Sequence, residues 1–143
     1  MIVFWDTNLF IYLPEKNPVF HSRVLLLFQE HVLRDDVLVT SSFTLGELLA
    51  QPLRSGRSDL ANQYRDIILK KGGFTLIDFT QVAAEQYALV RATTSVKQPD
   101  AIQIACALAV NAQLFLTNDR HLWTHKLSGG LLVQGIDANL PPG

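Results

Sequence analysis

Residues 2–6, with the sequence IVFWD, consist of four apolar residues followed by an acid. Such a run predicts a buried β-strand that ends in a polar turn. Similar short apolar runs, each bounded by polar, glycine, aspartate or asparagine residues, recur along the chain. They lie at residues 37–39 (VLV), 74–77 (FTLI), 114–116 (LFL) and 131–133 (LLV). Each of these runs predicts a further strand.

Longer segments with apolar residues at helical spacing separate the predicted strands. Two such sets are Val24, Leu27, Phe28 and His31, and Leu60, Tyr64, Ile67 and Ile68. Parallel neighbouring strands need a crossover connection, which a helix supplies. The alternation therefore predicts an α/β fold with three α/β/α layers and a mainly parallel central sheet of about five strands.

Capping residues predict where several helices begin. Ser41 or Ser42 can cap a helix that runs through Glu47, and Thr80 can cap a helix over residues 82–94. Pro99 suits the first turn of a helix because its φ is fixed and it lacks an N–H, so a helix should open at residues 99–100 and continue to residue 109.

Length and composition predict one compact domain. The chain has 143 residues, of which 48% are hydrophobic and 17% are charged, so residues 1–143 can bury one core, with 139–143 as a loose tail. No apolar run approaches the roughly 20 residues that a membrane-spanning helix requires. The first residues lack the pattern of a secretory leader, so we expect a cytoplasmic location and no membrane partner.

Charge and cysteine content exclude several kinds of site. The formal net charge of −1 is unlike that of a strongly basic nucleic-acid binder, so any RNA contact must come from local patches. One candidate patch comprises Arg54, Arg57, Arg65, Lys70 and Lys71, although an ordinary solvated helix surface explains it equally well. The single cysteine, Cys106, excludes an intramolecular disulfide and gives no support to a cysteine zinc site.

Four acids are predicted to meet at one edge of the sheet. Asp6 follows the first strand and Asp119 follows the fourth, while Glu47 and Asp100 lie on the helices after the second strand and before the fourth. Ligands of open α/β sheets bind beyond the carboxyl ends of the strands, where the strand order reverses. Asp100 also stands at a helix N-terminus, where a carboxylate is favoured.

Clustered carboxylates imply a bound cation. Two unit charges about 4 Å apart repel by ~4 kcal/mol at an effective dielectric constant of about 20. Oxygen ligands without accompanying Cys or His favour Mg²⁺ or Mn²⁺ over Zn²⁺. One or two such ions activate water for in-line attack on a phosphodiester, so the acids indicate hydrolysis of a nucleic-acid backbone.

Four ordered motifs resemble those of the PIN-domain family. Residues 2–8 resemble its hydrophobic strand with a D-T-N ending, and residues 42–47 resemble its helix with a second acid. Residues 100–105 resemble its D-A-x-I-A segment, and residues 116–119 resemble its T-N-D element. Each motif alone is weak, but together they span nearly the whole chain.

The resemblance implies a function and partners. Compact PIN proteins of this size are similar to the toxin subunits of VapBC-type toxin–antitoxin pairs, which implies an endoribonuclease, a homodimer and a cognate antitoxin. It also implies that Asp6, Glu47, Asp100 and Asp119 bind the metal, that Thr117 holds a carboxylate and that Asn8 assists near the ion. Some relatives carry a further acid after the T-N-D element, where this chain has Arg120 and His121. A second metal position is therefore an open question.

Two other functions remain open. Phosphohydrolases of the haloacid-dehalogenase type also place an acid after the first strand, but they need a second acid two positions later, where this chain has Asn8. A non-catalytic PIN-like binding module for RNA or protein is the second alternative. A test for cleavage with Mg²⁺ or Mn²⁺ separates these possibilities.

Each candidate residue also has an ordinary structural explanation. Asp6 can simply cap a helix, and Glu47 can lie on a solvated helix face. Asp100 can be a helix-dipole partner and Asp119 a turn residue. Other residues with more than one interpretation are Arg91, Lys97 and Arg120 (RNA phosphate or surface charge), His121 and His125 (metal pair, or structural or surface residues), and Trp5 and Trp123 (core or interface, or base stacking).

Overall fold

The fold is a parallel sheet with helices on both faces, seen in a computed structural model that describes residues 1–70, 73–124, 127 and 129–143. The strands are β1 (Ile2–Trp5), β2 (Val37–Ser41), β3 (Phe74–Ile77), β4 (Leu114–Leu116) and β5 (Leu132–Gln134). The helices are α1 (Thr7–Ile11), α2 (His21–Leu33), α3 (Ser42–Arg54), α4 (Ser58–Arg65), α5 (Gln81–Thr93) and α6 (Gln98–Ala109). A π-helical turn over Asp66–Lys70 continues α4, and a 3₁₀ helix spans Arg120–Thr124.

The sheet confirms the predicted fold class. Its strand order is β3-β2-β1-β4-β5, and each neighbouring pair is parallel. The order reverses at β1, since β2 lies on one side of it and β4 on the other. The carboxyl ends of β1 and β4 therefore flank the position where α/β sheets bind ligands.

Successive residues of the central strands pack into opposite layers. Val3 and Trp5 belong to one buried cluster and Phe4 to the other, as the twofold period of a strand requires. The ring of Phe4 stacks on that of Phe115 in the neighbouring strand, with centroids 5.0 Å apart. Trp5 is completely buried, which confirms the core interpretation for this residue.

Two strand boundaries differ slightly from the sequence predictions. β5 begins one residue later than predicted, and β2 extends to Ser41. The extension includes Thr40 and Ser41, which are polar but buried because their hydroxyl groups have partners inside the protein. Thr40 Oγ1 donates to the carbonyl oxygen of Trp5 at 2.8 Å.

The predicted helix starts are confirmed at three positions. Ser41 caps α3 by accepting from the backbone N–H of Thr44 at 3.0 Å, and Thr80 caps α5. Pro99 lies in the first turn of α6, which ends at Ala109 as predicted.

Ion pairs reduce the charge of the candidate basic patch. Arg57 pairs with Asp59 at 3.1 Å, and Lys70 pairs with Asp66 at 3.5 Å. The ordinary interpretation as a solvated helix surface is therefore favoured. Lys71, a member of that patch, and His125 lie outside the described residues.

The last residues return to the body of the domain. Gln134 Nε2 donates to the carbonyl oxygen of Asn139 at 3.0 Å, and Leu140 packs against the cluster that contains Trp5. The loose tail over residues 139–143 stays a prediction. Within the described ranges, no helix has the length and apolar character needed to span a bilayer.

Candidate active site

Asp6 is a buried acid at the carboxyl end of β1. Asp6 is only 5% exposed. One oxygen of its carboxylate caps α1 by accepting a hydrogen bond from the N–H of Thr7 at 2.8 Å. Its second oxygen accepts from Thr117 Oγ1 at 2.7 Å and from Asn8 Nδ2 at 3.4 Å. Asp6 thus caps a helix, as one interpretation of the sequence predicted, but capping uses only one of its two carboxylate oxygens.

The electrostatic surroundings of Asp6 disfavour its charged form. Burial raises the pKa of Asp6 to about 6, and the charges of Asp100 and Glu47 act in the same direction. The hydrogen bonds from Thr117 and Thr7 oppose this rise without cancelling it. Asp6 therefore lies in a negatively charged region to which Asp100 and Glu47 both contribute.

The turn after β4 is locked onto Asp6 through Thr117. The Thr117 hydroxyl is buried, donates to Asp6, and accepts from the N–H of Asp119 at 3.0 Å. Asn8 joins the same arrangement, since its Nδ2 lies 3.2 Å from Thr117 Oγ1 and its Oδ1 accepts from the N–H of Asn118 at 3.0 Å. The two residues that the resemblance marked as accessory thus link the ends of β1 and β4.

Asp100 lies in the first turn of α6 and faces a cavity of about 440 Å³. Asp119, Lys97 and His121 line the same cavity. Burial raises the pKa of Asp100, and the charges of Asp119 and Glu47 raise it further, while Lys97 acts in the opposite direction. Asp100 and Asp119 therefore meet across this cavity as the sequence predicted.

Glu47 projects from α3 towards the start of α1. Its Oε1 accepts from Thr7 Oγ1 at 2.6 Å and lies 3.4 Å from Gln103 Nε2. Its charge contributes to the raised pKa of both Asp6 and Asp100. Glu47 is therefore exposed, but its carboxylate is held at the sheet edge by Thr7 and Gln103.

The four acids share one region but do not form a closed ligand cage. Among residues 1–70, 73–124, 127 and 129–143, no three Asp, Glu, His or Cys side chains are close enough to hold a metal ion as placed. The ion pairs of those residues involve none of Asp6, Glu47, Asp100 and Asp119. The donor chemistry fits Mg²⁺ or Mn²⁺, because such ions keep several waters and bind directly to only one or two carboxylates.

A family model for the PIN domain matches residues 3–125. The chain belongs to the PIN domain family. No curated protein sequence matches the chain significantly.

Three solved structures resemble this PIN domain in fold. A chain of the DNA-bound VapBC complex from Salmonella typhimurium is 19% identical with a TM-score of 0.74, covering 95% of this chain and 98% of that chain. A chain of VapBC2 from Rickettsia felis, bound to a promoter DNA fragment, is 20% identical with a TM-score of 0.71 and coverages of 94% and 98%. A chain of a toxin–antitoxin complex from Klebsiella pneumoniae is 17% identical with a TM-score of 0.61 and coverages of 91% and 95%.

The cationic residues considered from the sequence occupy different places in the PIN domain. Lys97 lines the cavity beside Asp100. Arg91 lies on α5, where it donates to the hydroxyl of Tyr87 at 3.3 Å. The guanidinium carbon of Arg120 lies 5.8 Å from the ring centroid of Trp123. Of these cations, Lys97 is the one that lines the same cavity as Asp100 and Asp119.

Several neutral residues of the PIN-domain site were not predicted from the sequence. Thr7 and Gln103 both contact Glu47, and Ser41 and Thr44 contact Gln103. The sequence holds one signal for Gln103, which is a polar residue in an apolar, alanine-rich segment. The structure shows that Gln103 is 1% exposed. A buried polar side chain needs a partner, so its position one turn after Asp100 indicates a role at this edge.

Proposed function

We propose that this PIN domain is a metal-dependent endoribonuclease that hydrolyses RNA phosphodiester bonds and serves as the toxin of a VapBC-type toxin–antitoxin pair. The observation that carries the proposal is the gathering of Asp6, Glu47, Asp100 and Asp119 at the reversal point of the sheet. Thr117 links the carboxylate of Asp6 to the backbone of Asp119, Thr7 links the start of α1 to Glu47, and Asp100 and Asp119 line one cavity. Negative charges gathered at a ligand-binding edge favour a divalent cation and a phosphate substrate.

In this proposal, Asp6, Glu47, Asp100 and Asp119 hold one or two ions of Mg²⁺ or Mn²⁺. A divalent ion, when bound, lowers the pKa of water and offsets negative charge on a phosphodiester. The protein's own contribution is orientation: Thr117 and Asn8 fix the carboxylate of Asp6, and Thr7 fixes that of Glu47. Lys97 at the cavity is suited to bind a phosphate of the substrate.

The hydrogen bonds of Asn8 favour a nuclease over a phosphohydrolase of the haloacid-dehalogenase type. Asn8 occupies the position where such enzymes need a second acid, and both ends of its amide are engaged in holding Thr117 and Asn118. It has no proton to exchange at ordinary pH. Covalent phosphoryl transfer through Asp6 would therefore lack its acid–base partner.

The similar folds of chains in toxin–antitoxin complexes support an antitoxin as the protein partner. A homodimer is part of the same proposal. Co-expression with the product of a neighbouring small reading frame, followed by measurement of mass in solution, tests both partners. A protein that stays monomeric and does not bind the co-expressed product would contradict this part of the proposal.

A cleavage assay tests the nuclease itself. Purified protein is incubated with a panel of structured and single-stranded RNAs in Mg²⁺, in Mn²⁺ and in chelator, and Asp119→Asn serves as the inactive control. We expect metal-dependent internal cuts by the wild type alone. RNA that is bound but never cut would favour the non-catalytic binding module, and phosphate release from monoesters would favour the phosphohydrolase.

A further inference from the structure

A single buried glutamine connects the segments that carry three of the four acids. Gln103 lies on α6, three residues after Asp100, and is 1% exposed. Its amide contacts four side chains from α1, from α3 and from the end of β2. We call Gln103 and these partners the amide network, which comprises Thr7, Ser41, Thr44, Glu47 and Gln103.

The hydrogen bonds fix which end of the amide faces Glu47. Ser41 Oγ accepts from the N–H of Thr44, so its proton is available for Gln103 Oε1, to which it donates. Gln103 Nε2 then faces Thr44 Oγ1 at 2.6 Å, Thr7 Oγ1 at 2.9 Å and Glu47 Oε1 at 3.4 Å. The reverse orientation would place the amide oxygen against an ionised carboxylate, which can only accept.

The network supports Glu47 from two directions. Gln103 Nε2 approaches Glu47 Oε1 directly, and Thr7, which Gln103 also contacts, donates to the same oxygen at 2.6 Å. Thr7 directly follows Asp6, and Gln103 shares a helix face with Asp100 one turn away. Both polar ends of the Gln103 amide thus have partners, so its burial fixes one side-chain conformation.

A neutral donor suits this place better than a cation. A lysine or arginine here would pair with Glu47 and compete with a divalent ion for the carboxylate. An amide orients the same carboxylate while leaving its charge uncompensated. Groups that orient metal ligands typically change metal affinity or activity by about 10–100-fold when they are removed.

We propose that Gln103 is the positioning residue of the acidic site, which sets the carboxylate of Glu47 relative to Asp6 and Asp100 for binding of the divalent ion. This inference rests on the proposed metal-dependent function. Gln103 acts through Glu47 and Thr7, so its removal weakens metal binding without removing a ligand.

The test compares two methionine substitutions on the same helix. Gln103→Met keeps the length of the side chain but removes the amide, and Ile104→Met places the same residue at a neighbouring position that is buried in the hydrophobic core. Mn²⁺ affinity is measured by titration with paramagnetic resonance detection, at a temperature where both variants are folded. We expect the Kd for Mn²⁺ to rise by at least about 10-fold in Gln103→Met and by less than about twofold in Ile104→Met.

A double variant shows whether the effect passes through Glu47. In a Glu47→Gln background, adding Gln103→Met should change the Kd by less than about twofold, because the carboxylate to be positioned is gone. An unchanged Kd in Gln103→Met alone would overturn the proposal. The same 10-fold effect in both backgrounds would also overturn it, since Gln103 would then act independently of Glu47.

Two further measurements keep the inference separate from the nuclease proposal and from folding failure. If the wild type binds Mn²⁺ but cuts no RNA, the nuclease proposal is overturned, while the comparison of Kd values still decides the role of Gln103. If the wild type binds no Mn²⁺, both the nuclease proposal and the positioning role of Gln103 are overturned. If Gln103→Met does not fold, the side-chain amide resonances of Gln103 are followed in the wild type by NMR. We expect them to shift on Mg²⁺ titration with the midpoint of metal binding, and their constancy would overturn the proposal.

Discussion

Thr117 Oγ1 donates a hydrogen bond of 2.7 Å to Asp6 Oδ2, across 111 positions of sequence. Thr117 Oγ1 also accepts hydrogen bonds from Asn8 Nδ2 and from the N–H of Asp119. One buried hydroxyl thus joins the carboxyl ends of β1 and β4, the two strands on which the reversal point of the sheet depends.

Replacement of Thr117 by valine should therefore destabilise the protein and reduce activity. The variant keeps the shape of the side chain but leaves buried groups without partners, which costs about 1–3 kcal/mol of unfolding free energy. Thr117→Ser retains the hydroxyl and serves as the matched control. Urea denaturation and the cleavage assay measure both effects, and equal stability of the valine and serine variants would contradict the linking role of this hydroxyl.

Asp6→Asn should abolish cleavage while the fold remains intact. The substitution removes the charge of the most buried of the four acids, and we expect a loss of more than about 100-fold, above the loss caused by groups that only orient ligands. Circular dichroism checks the fold and the RNA assay checks turnover. Unchanged turnover would remove Asp6 from the mechanism.

The same variant carries a prediction about pH in metal-free protein. The pKa of Asp6 is raised from 3.8 to about 6 in the folded state, so its contribution to stability is fully present below pH 4 and is lost as the pH rises through 6. At pH 8, Asp6→Asn should therefore have a melting temperature equal to or higher than that of the wild type. Removal of the charge raises the free energy of unfolding by up to about 3 kcal/mol, and altered hydrogen bonding to Thr117 offsets part of this increase. Thermal melting in chelator at pH 4 and pH 8 measures the difference. A clear drop for Asp6→Asn at pH 8 would contradict the argument that burial, together with the charges of Asp100 and Glu47, disfavours the charged form of Asp6.

Added Mn²⁺ should stabilise the wild type. An ion that binds only the folded state at a concentration of 100 times its Kd adds about 2.7 kcal/mol of unfolding free energy. Asp100→Asn and Asp119→Asn should each lose most of this increase, because both acids face the same cavity. Melting curves with Mn²⁺ and with chelator give the comparison, and an increase of equal size in these variants would place the ion elsewhere.

The strands and the four acids were predictable because their signals are local. A buried strand is a short apolar run such as residues 2–5, and Asp6, Asp100 and Asp119 lie near a strand end or a helix start. Glu47 lies within the helix that follows the second strand. The amide network was not predictable, because Gln103 meets Ser41 and Thr7 only after the helices have packed, and sequence spacing does not encode that meeting. The burial of Thr40 and Ser41 within β2 has the same origin, since their partners lie in other elements.

The position of Lys97 leads to a prediction about substrate binding, for which a variant of Arg91 is the control. Lys97 lines the cavity with Asp100 and Asp119, whereas Arg91 contacts Tyr87 on α5. If Lys97 holds a phosphate of the RNA, Lys97→Ala should raise KM more than it lowers kcat and should reduce the salt dependence of binding by about one unit of slope. Arg91→Ala removes the same formal charge from another place and should leave both quantities close to their wild-type values.

Binding measured at several salt concentrations distinguishes these two cations. Each phosphate contact releases counterions, so loss of one contact changes the slope of log affinity against log salt, whereas a general loss of positive charge would affect both variants alike. The inactive Asp119→Asn background allows RNA affinity to be measured without cleavage. Equal slopes for Lys97→Ala and Arg91→Ala in that background would show that substrate attraction comes from overall charge, and would remove Lys97 from the phosphate-binding role.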